Sequence, residues 1–195
     1  MFSLCLALGY LQDREHLRFE YSTEQGYDTS CGLSTLACFL DLYWAEPTDE
    51  IMLASEFFRA KMETGDLTVS FSDMKRVLES KGFKVEGYKM NFEQLEKATV
   101  QYAPIIVHYN EPESHFALVL GISDERVVTA DPAEGTIERD RASFEISWSG
   151  NVMLAMKPGK KQQVERRTKA VEAAIGRREL AESELFPPAL GLMRW

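Results

Sequence analysis

The pattern of apolar residues changes once along the chain, and this change limits the possible fold more than any other feature. Up to about residue 82, apolar residues recur at helical spacing in three segments, 31–44, 51–62 and 71–82. Beyond it, short runs rich in Val, Ile, Phe and Tyr alternate with Gly, Asp and Pro, which is typical of β-strands. This order predicts an α+β fold: N-terminal helices packed on a largely antiparallel C-terminal sheet, as two layers around one core.

Polar residues in front of the helical segments predict where each helix begins. Thr48 or Asp49 can cap the second helix, and Ser70 or Ser72 the third. Asn91 is the expected cap of a short helix in NFEQLEKATV. The predicted strands are FKVEGYKM and APIIVHYN on either side of that helix, followed by HFALVLGIS, RVVTADP and GNVMLAMKP.

Charge and cysteine content exclude several classes of protein. The net charge of −9 argues against nucleic-acid binding. The sequence contains no P-loop motif, so ATP binding is not expected. An odd number of cysteines makes a disulfide framework unexpected, and no cofactor is expected. The cysteines and histidines also lack the spacing of metal ligands; they are Cys5, Cys31, Cys38, His16, His108 and His115.

The two ends of the chain differ from its middle. We expect an N-terminal segment at 1–17, a domain at 18–157 and a charged helical extension at 158–195. The N-terminal apolar run is too short to span a bilayer and is either a signal-peptide remnant or a packing segment. The compartment therefore stays open, with a periplasmic or exported location weakly favoured over the cytoplasm.

The extension carries a narrow apolar stripe of Val164, Val171 and Ile175 on a highly charged helix. Three interpretations of this helix remain open. It packs on the domain edge, contacts a partner or membrane surface, or covers the active-site cleft.

The segment EQGYDTSCG, residues 24–32, places Cys31 at the start of an apolar helix. Such a position favours a thiolate, because unpaired N–H groups and the helix dipole stabilise negative charge there. A base and an orienting group are then required. His115 begins one predicted strand and Asp131 ends the next, so a hairpin would make them neighbours. Gln25, in the loop before the helix, could donate to an oxyanion together with the Cys31 amide.

These residues, with SDMKRVLESKGF at 72–83 and HFALVLGI at 115–122, resemble the C39 peptidase family. That family includes papain-like bacteriocin-leader peptidases that cut after double-glycine leaders. The resemblance implies Cys31 as nucleophile, His115 as general base and acid, Asp131 as the orienting carboxylate and Gln25 as the oxyanion-hole donor. One departure from the pattern of many transporter-linked members is Ser30, which stands directly before the cysteine where they have aspartate.

The resemblance predicts a cysteine peptidase that cleaves an extended peptide, a leader segment or an exported protein through an acyl-enzyme. The alternative is a non-cleaving C39-like module that recruits an exported peptide or protein to a secretion system. Each site residue also has a structural interpretation. Cys31 could be a small core residue, Asp131 a turn residue before Pro132, and Gln25 an ordinary loop residue. His108, on an apolar strand, competes with His115 as the base.

Overall fold

Helices precede the sheet in the computed structural model, which describes residues 17–110, 112–123 and 125–185. The helices of the first half are α1 (Cys31–Cys38), a π-helical turn (Phe39–Tyr43), α2 (Glu50–Phe57), α3 (Arg59–Thr64) and α4 (Phe71–Ser80). Residues 1–16 of the predicted N-terminal segment, with Cys5 and His16, and the last ten residues of the extension lie outside the described residues.

The predicted helix caps match the structure. Asp49 caps α2, since its carboxylate accepts a hydrogen bond from the Met52 N–H at 2.7 Å. Ser70 caps α4 and forms a reciprocal capping box with Asp73. The helix expected over 51–62 is divided, because Phe58 leaves the helical conformation (φ −134°) and buries its side chain in the core.

The second half forms one antiparallel sheet of six strands in the order β1-β6-β2-β3-β4-β5. The strands are β1 (Lys84–Lys89), β2 (Ile105–Tyr109), β3 (His115–Ser123), β4 (Arg126–Asp131), β5 (Gly135–Asp140) and β6 (Trp148–Met156). Helix α5 (Phe92–Tyr102) follows β1, and α6 (Arg141–Ser147) follows β5. The predicted α+β class is confirmed, whereas β5 and α6 were not identified from the sequence.

The core differs from the predicted arrangement of two layers around one core. In β2, Ile105, Ile106 and Val107 are all fully buried, so both faces of the sheet are covered. One face packs against α1, α2 and α4, and the other packs against α5 and α6 through Phe92 and Phe144. A continuous apolar run is the sequence signature of a strand buried on both faces.

The C-terminal helix α7 (Val164–Leu185) packs on the domain through small residues. Ala170 and Ala174 are buried, while Val164 and Ile175 of the predicted apolar stripe are 53% and 37% exposed. Val171 of the stripe does pack against the core, so the prediction is right for this residue, but the buried face of the helix consists mainly of the two alanines. Alanine side chains are small and let the helix approach the domain closely. A search for large apolar residues does not detect a contact face of this kind.

Arginines attach α7 to the backbone of the domain. Arg167 donates to the carbonyl of Ala103 at 2.7 Å, and Arg177 donates to the carbonyl of Thr136 at 2.6 Å. Each is a charge-assisted bond across a long stretch of sequence. Among the described residues, no helix is long and apolar enough to cross a membrane.

Candidate active site

Cys31 is the first residue of α1 and is half-buried. Ser30, the residue before it, does not cap the helix with its side chain. Its hydroxyl instead donates to the carbonyl of Tyr27 at 2.8 Å and accepts from the Tyr27 N–H at 3.2 Å. The serine thus closes the turn before the helix. The N–H groups of the first helical turn remain available beside the thiol.

Gly32 is required by close packing. A Cβ at this position would lie 2.4 Å from a methyl of Val69 and 2.8 Å from the methyl of Met74. Close packing, and not an unusual backbone conformation, is what demands glycine here. The missing side chain lets the first turn of α1 approach α4 and the segment before it.

His115 and Asp131 meet across the β3–β4 hairpin. The register pairs Leu118 with Ala130, so the two residues are diagonal neighbours on one face. The Nε2 atom of His115 lies 2.8 Å from Oδ1 of Asp131. The predicted proximity is therefore present, although the two residues are not directly opposite each other.

Asp131 is almost fully buried, with 2% of its side chain exposed. Its Oδ1 also accepts from the backbone N–H of Ala133 at 2.9 Å, and the Arg139 guanidinium lies 3.7 Å from its Oδ2. Its own carbonyl accepts from the Ser22 hydroxyl at 3.0 Å. A buried carboxylate held by several donors has a fixed orientation.

The electrostatics of the site favour a protonated His115. Burial alone would lower its pKa, but hydrogen bonds to Asp131 and Cys31 outweigh burial and raise the pKa of His115 to about 10. Since Nε2 faces Asp131, Nδ1 is the nitrogen that remains for Cys31. The imidazole thus links the cysteine to the carboxylate.

Gln25 stands in the wall of the same site. Its backbone N–H donates to the carbonyl of Pro132 at 3.0 Å, and its side-chain Nε2 donates to the carbonyl of Tyr27 at 3.3 Å. The side-chain bond is long and therefore weak. The amide can release it with little loss when a stronger acceptor arrives.

A single open cavity of about 270 Å³ is lined by Gln25, Cys31, His115 and Asp131. All four residues selected from the sequence are thus brought together. None of the described residues of α7 lines this cavity.

The sequence profile of the peptidase C39 family matches residues 20–161. The chain belongs to the peptidase C39 family. Two curated relatives, both named "Probable functional amyloid protease FapD", are 30% identical over 145 residues (Pseudomonas fluorescens) and 29% identical over 151 residues (Pseudomonas aeruginosa). These matches cover 73% and 76% of this chain. The chain spans 63% and 66% of the lengths of these relatives.

Solved C39 peptidase domains share the papain-like fold. A double glycine motif protease from an AMS/PCAT transporter, solved in complex with the leader peptide, has a TM-score of 0.59 at 19% identity, over 72% of this chain and 90% of that one. The peptidase domain of Streptococcus ComA has a TM-score of 0.60 at 17% identity, over 70% of this chain and 98% of that one.

Two residues that support the C39 site were not found from the sequence. Tyr109 is buried, and its ring lies parallel to the His115 ring with centroids 6.2 Å apart. Arg139 places its guanidinium 5.9 Å from the centre of the Tyr109 ring and ion-pairs with Glu134 at 2.6 Å. Arg139 lies on β5. This strand has a single large apolar residue, Ile137, which is too little to indicate a strand in the sequence.

A third residue that supports the site is Glu50, the first residue of α2. Glu50 is only 7% exposed. Its Oε2 accepts from the Gly26 N–H at 2.9 Å and from the Ser34 hydroxyl at 2.7 Å. These bonds connect the loop that carries Gln25 to the helix that begins at Cys31. In the sequence, Glu50 looks like an ordinary acidic residue in a first helical turn.

His108, the competing candidate for the base, does not line the catalytic cavity. His108 bonds to the Ser114 hydroxyl at 2.9 Å, and burial lowers the pKa of His108, so it is suited to a neutral, packed role. Burial raises the pKa of Cys38 to about 12. Within the described ranges, no group of three or more His, Cys, Asp or Glu residues could hold a metal ion.

Proposed function

We propose that this C39 family member is a cysteine peptidase in which Cys31 is the nucleophile, His115 the general base and acid, and Asp131 the orienting carboxylate. The observation that carries the proposal is the position of His115. One imidazole nitrogen is bonded to a buried carboxylate, and the cysteine at a helix N-terminus lies on the other side. This is the arrangement that a thiol nucleophile requires.

In the proposed reaction, His115 Nδ1 takes the proton of Cys31, and the Sγ thiolate attacks the carbonyl carbon of the scissile peptide bond. The C–N bond then breaks, and the imidazolium gives its proton to the leaving amine. The acyl group remains on Cys31 as a thioester. Water, deprotonated by His115, attacks the thioester carbon, and the C–S bond breaks to release the acid product.

The oxyanion is proposed to bind the side-chain amide of Gln25 and the backbone N–H of Cys31. Both are near the carbonyl that the thiolate would attack, and the N–H belongs to the first turn of α1. Donors of this kind stabilise charge that develops only in the transition state. The weak bond from Gln25 to the Tyr27 carbonyl would be exchanged for a stronger one to the oxyanion.

We propose an extended peptide, a leader segment or an exported protein as the substrate class. The open cavity supports a chain that passes across the thiol. The support from relatives is the name of the two functional amyloid proteases and the leader peptide bound to the AMS/PCAT protease.

Alkylation by iodoacetamide at pH 7, followed by peptide mass spectrometry, tests the proposed pair. We expect Cys31 to react at least about tenfold faster in the wild type than in His115→Ala, because the imidazole maintains the thiolate. Buried Cys38 is the internal control. A peptide library should show cleavage that disappears in Cys31→Ala. Equal alkylation rates in both proteins, together with no cleavage, would reject the proposal and favour the binding module.

A further inference from the structure

The loop that carries Gln25 is fixed at two consecutive backbone amides. The N–H of Gln25 donates to the carbonyl of Pro132 at 3.0 Å. The N–H of Gly26 donates to Oε2 of Glu50 at 2.9 Å. Pro132 directly follows Asp131, so the first bond ties the loop to the Asp131 side of the catalytic cavity. The second bond ties the loop to α2, which begins at Glu50.

Glu50 also holds the helix that begins at Cys31. The hydroxyl of Ser34, three residues after Cys31 on α1, donates to the same Oε2 at 2.7 Å, and Ser34 is fully buried. The Gly26 nitrogen and the Ser34 hydroxyl oxygen thus both lie within 2.9 Å of a single atom. Glu50 itself does not line the catalytic cavity, so its contacts with the site run through the loop and the helix.

Stability alone does not explain a carboxylate at this place. Glu50 is buried, and its Oε1 has no hydrogen-bond partner among the described residues. A buried polar atom without a partner lowers stability. The carboxylate supplies one charged acceptor for two donors from separate segments, and bonds to a charged acceptor are shorter and stronger than neutral ones. Glu50 therefore forms a firm link between the loop and the helix.

We propose that Glu50 is a positioning residue of the peptidase reaction, which sets the distance between the two oxyanion donors, the Gln25 side-chain amide and the Cys31 N–H. One donor lies on the loop and the other on α1, and Glu50 holds these two segments together. Donors that converge on a developing charge are effective only when they are held in place before the reaction. The inference rests on the proposed peptidase function, since it assigns a role in that reaction.

Ser34→Ala tests the link with the smallest change, because it removes one bond and leaves the Glu50 carboxylate and its bond from Gly26 in place. We expect kcat for a cleaved peptide to fall about tenfold, with KM within about twofold of the wild type, because misplaced donors affect the transition state more than the bound peptide. Glu50→Ala removes both bonds and should lower kcat about a hundredfold. An unchanged kcat in Ser34→Ala would overturn the proposal.

Alkylation of Cys31 separates positioning of the donors from general damage to the site. Iodoacetamide reacts with the thiolate without forming an oxyanion, so its rate with Ser34→Ala should match the wild type within about twofold across the pH range. A fall in the alkylation rate equal to the fall in kcat would show that the pair of Cys31 and His115 is itself disturbed, and would reject the proposal.

Two further variants serve as controls. Glu50→Gln keeps an oxygen that can accept both bonds, and its kcat should lie about tenfold above that of Glu50→Ala. Ser55→Ala, on the exposed side of α2, removes a hydroxyl bond to the Met52 carbonyl within the same helix and should keep the kcat of the wild type. Equal losses in Glu50→Gln and Glu50→Ala would contradict the link through an acceptor oxygen. Where Glu50→Ala does not fold, kcat and the alkylation rate of Ser34→Ala decide.

The wild type distinguishes failure of the link from failure of the peptidase function. If the wild type cleaves no peptide, the peptidase proposal fails, and the role of Glu50 in the reaction fails with it. If the wild type cleaves peptides and Ser34→Ala cleaves them at the same rate, only the role of Glu50 is rejected.

Discussion

The hydroxyl of Thr35 donates a hydrogen bond to the backbone carbonyl of Phe116 at 3.0 Å. Thr35 lies one turn after Cys31 on α1, and Phe116 follows His115 on β3. Both residues are buried, so the bond is shielded from water. It fixes the helix of the proposed nucleophile to the strand of the proposed base.

Replacing Thr35 by Val removes this bond at nearly constant volume. We expect a loss of about 1–3 kcal/mol in unfolding free energy, because the Phe116 carbonyl is left buried without its donor. We also expect kcat to fall more than KM changes, since the distance between Cys31 and His115 is no longer fixed. Denaturant unfolding and steady-state kinetics measure the two effects. Thr35→Ser keeps the hydroxyl and should remain close to the wild type in kcat; an equally large loss there would contradict the role of the bond.

Replacing Asp131 by Asn should move the alkaline limb of the pH–rate profile to lower pH. The Asp131 carboxylate favours the charged imidazole and helps to raise the pKa of His115 to about 10, so its neutralisation lowers that pKa. The measurement is kcat/KM against pH from 5 to 11, alongside alkylation of Cys31. Glu145→Gln, an exposed carboxylate replaced by its amide, is the control and should leave the limb unmoved. An unmoved limb in Asp131→Asn as well would show that Asp131 does not act on His115.

The same pKa predicts how stability depends on pH. The pKa of His115 is raised in the folded protein, so its stabilising contribution is full below the unfolded value of about 6.5. The contribution is lost as the pH rises towards about 10. The unfolding free energy of the wild type minus that of His115→Gln should therefore decrease steadily between these two pH values. A difference that is constant or grows across this range would contradict the prediction.

A methyl group at Gly32 should destabilise the protein. Its Cβ would lie 2.4 Å from a methyl of Val69, and both residues are buried, so Gly32→Ala should cost about 1–3 kcal/mol through overpacking. Gly176→Ala in α7 is the matched control, because nothing lies within 4 Å of its Cβ position. There we expect a gain of about 0.5–1 kcal/mol from the better helix former. Thermal unfolding of both variants measures the contrast, and a stabilising Gly32→Ala would contradict the packing argument.

Local patterns in the sequence were sufficient for much of the fold. Side-chain caps such as Asp49 and Asn91 act within a few residues, so they can be predicted without tertiary information. The strand at His115–Ser123 has the predicted limits because an apolar run lies between two turns. The proximity of His115 and Asp131 followed from hairpin geometry, which is also local.

Features that depend on distant contacts were not predictable from the sequence. Strand β5 has little apolar character, so neither it nor Arg139 could be assigned. Glu50 acquires its role only when α2 meets the loop at Gly26, 24 residues earlier in the chain. The second helical layer was missed because burial on both faces depends on where α5 and α6 pack.

We propose that α7 is a structural part of the domain. Ala170 is fully buried against the core, so Ala170→Glu places a charge without a partner in the contact. We expect a loss of about 2–4 kcal/mol. Unfolding followed by tryptophan fluorescence should remain a single transition, because α7 and the sheet unfold together.

Thr168→Glu, on the exposed side of the same helix, should change stability by less than about 0.5 kcal/mol. If α7 were an independent appendage, Ala170→Glu would leave the transition of the domain unchanged, and if it covered the cleft, the variant would cleave peptides faster. Either result would reject the structural role. That role is inferred from the arginine bonds and the buried alanines, which place α7 on the sheet and away from the cavity.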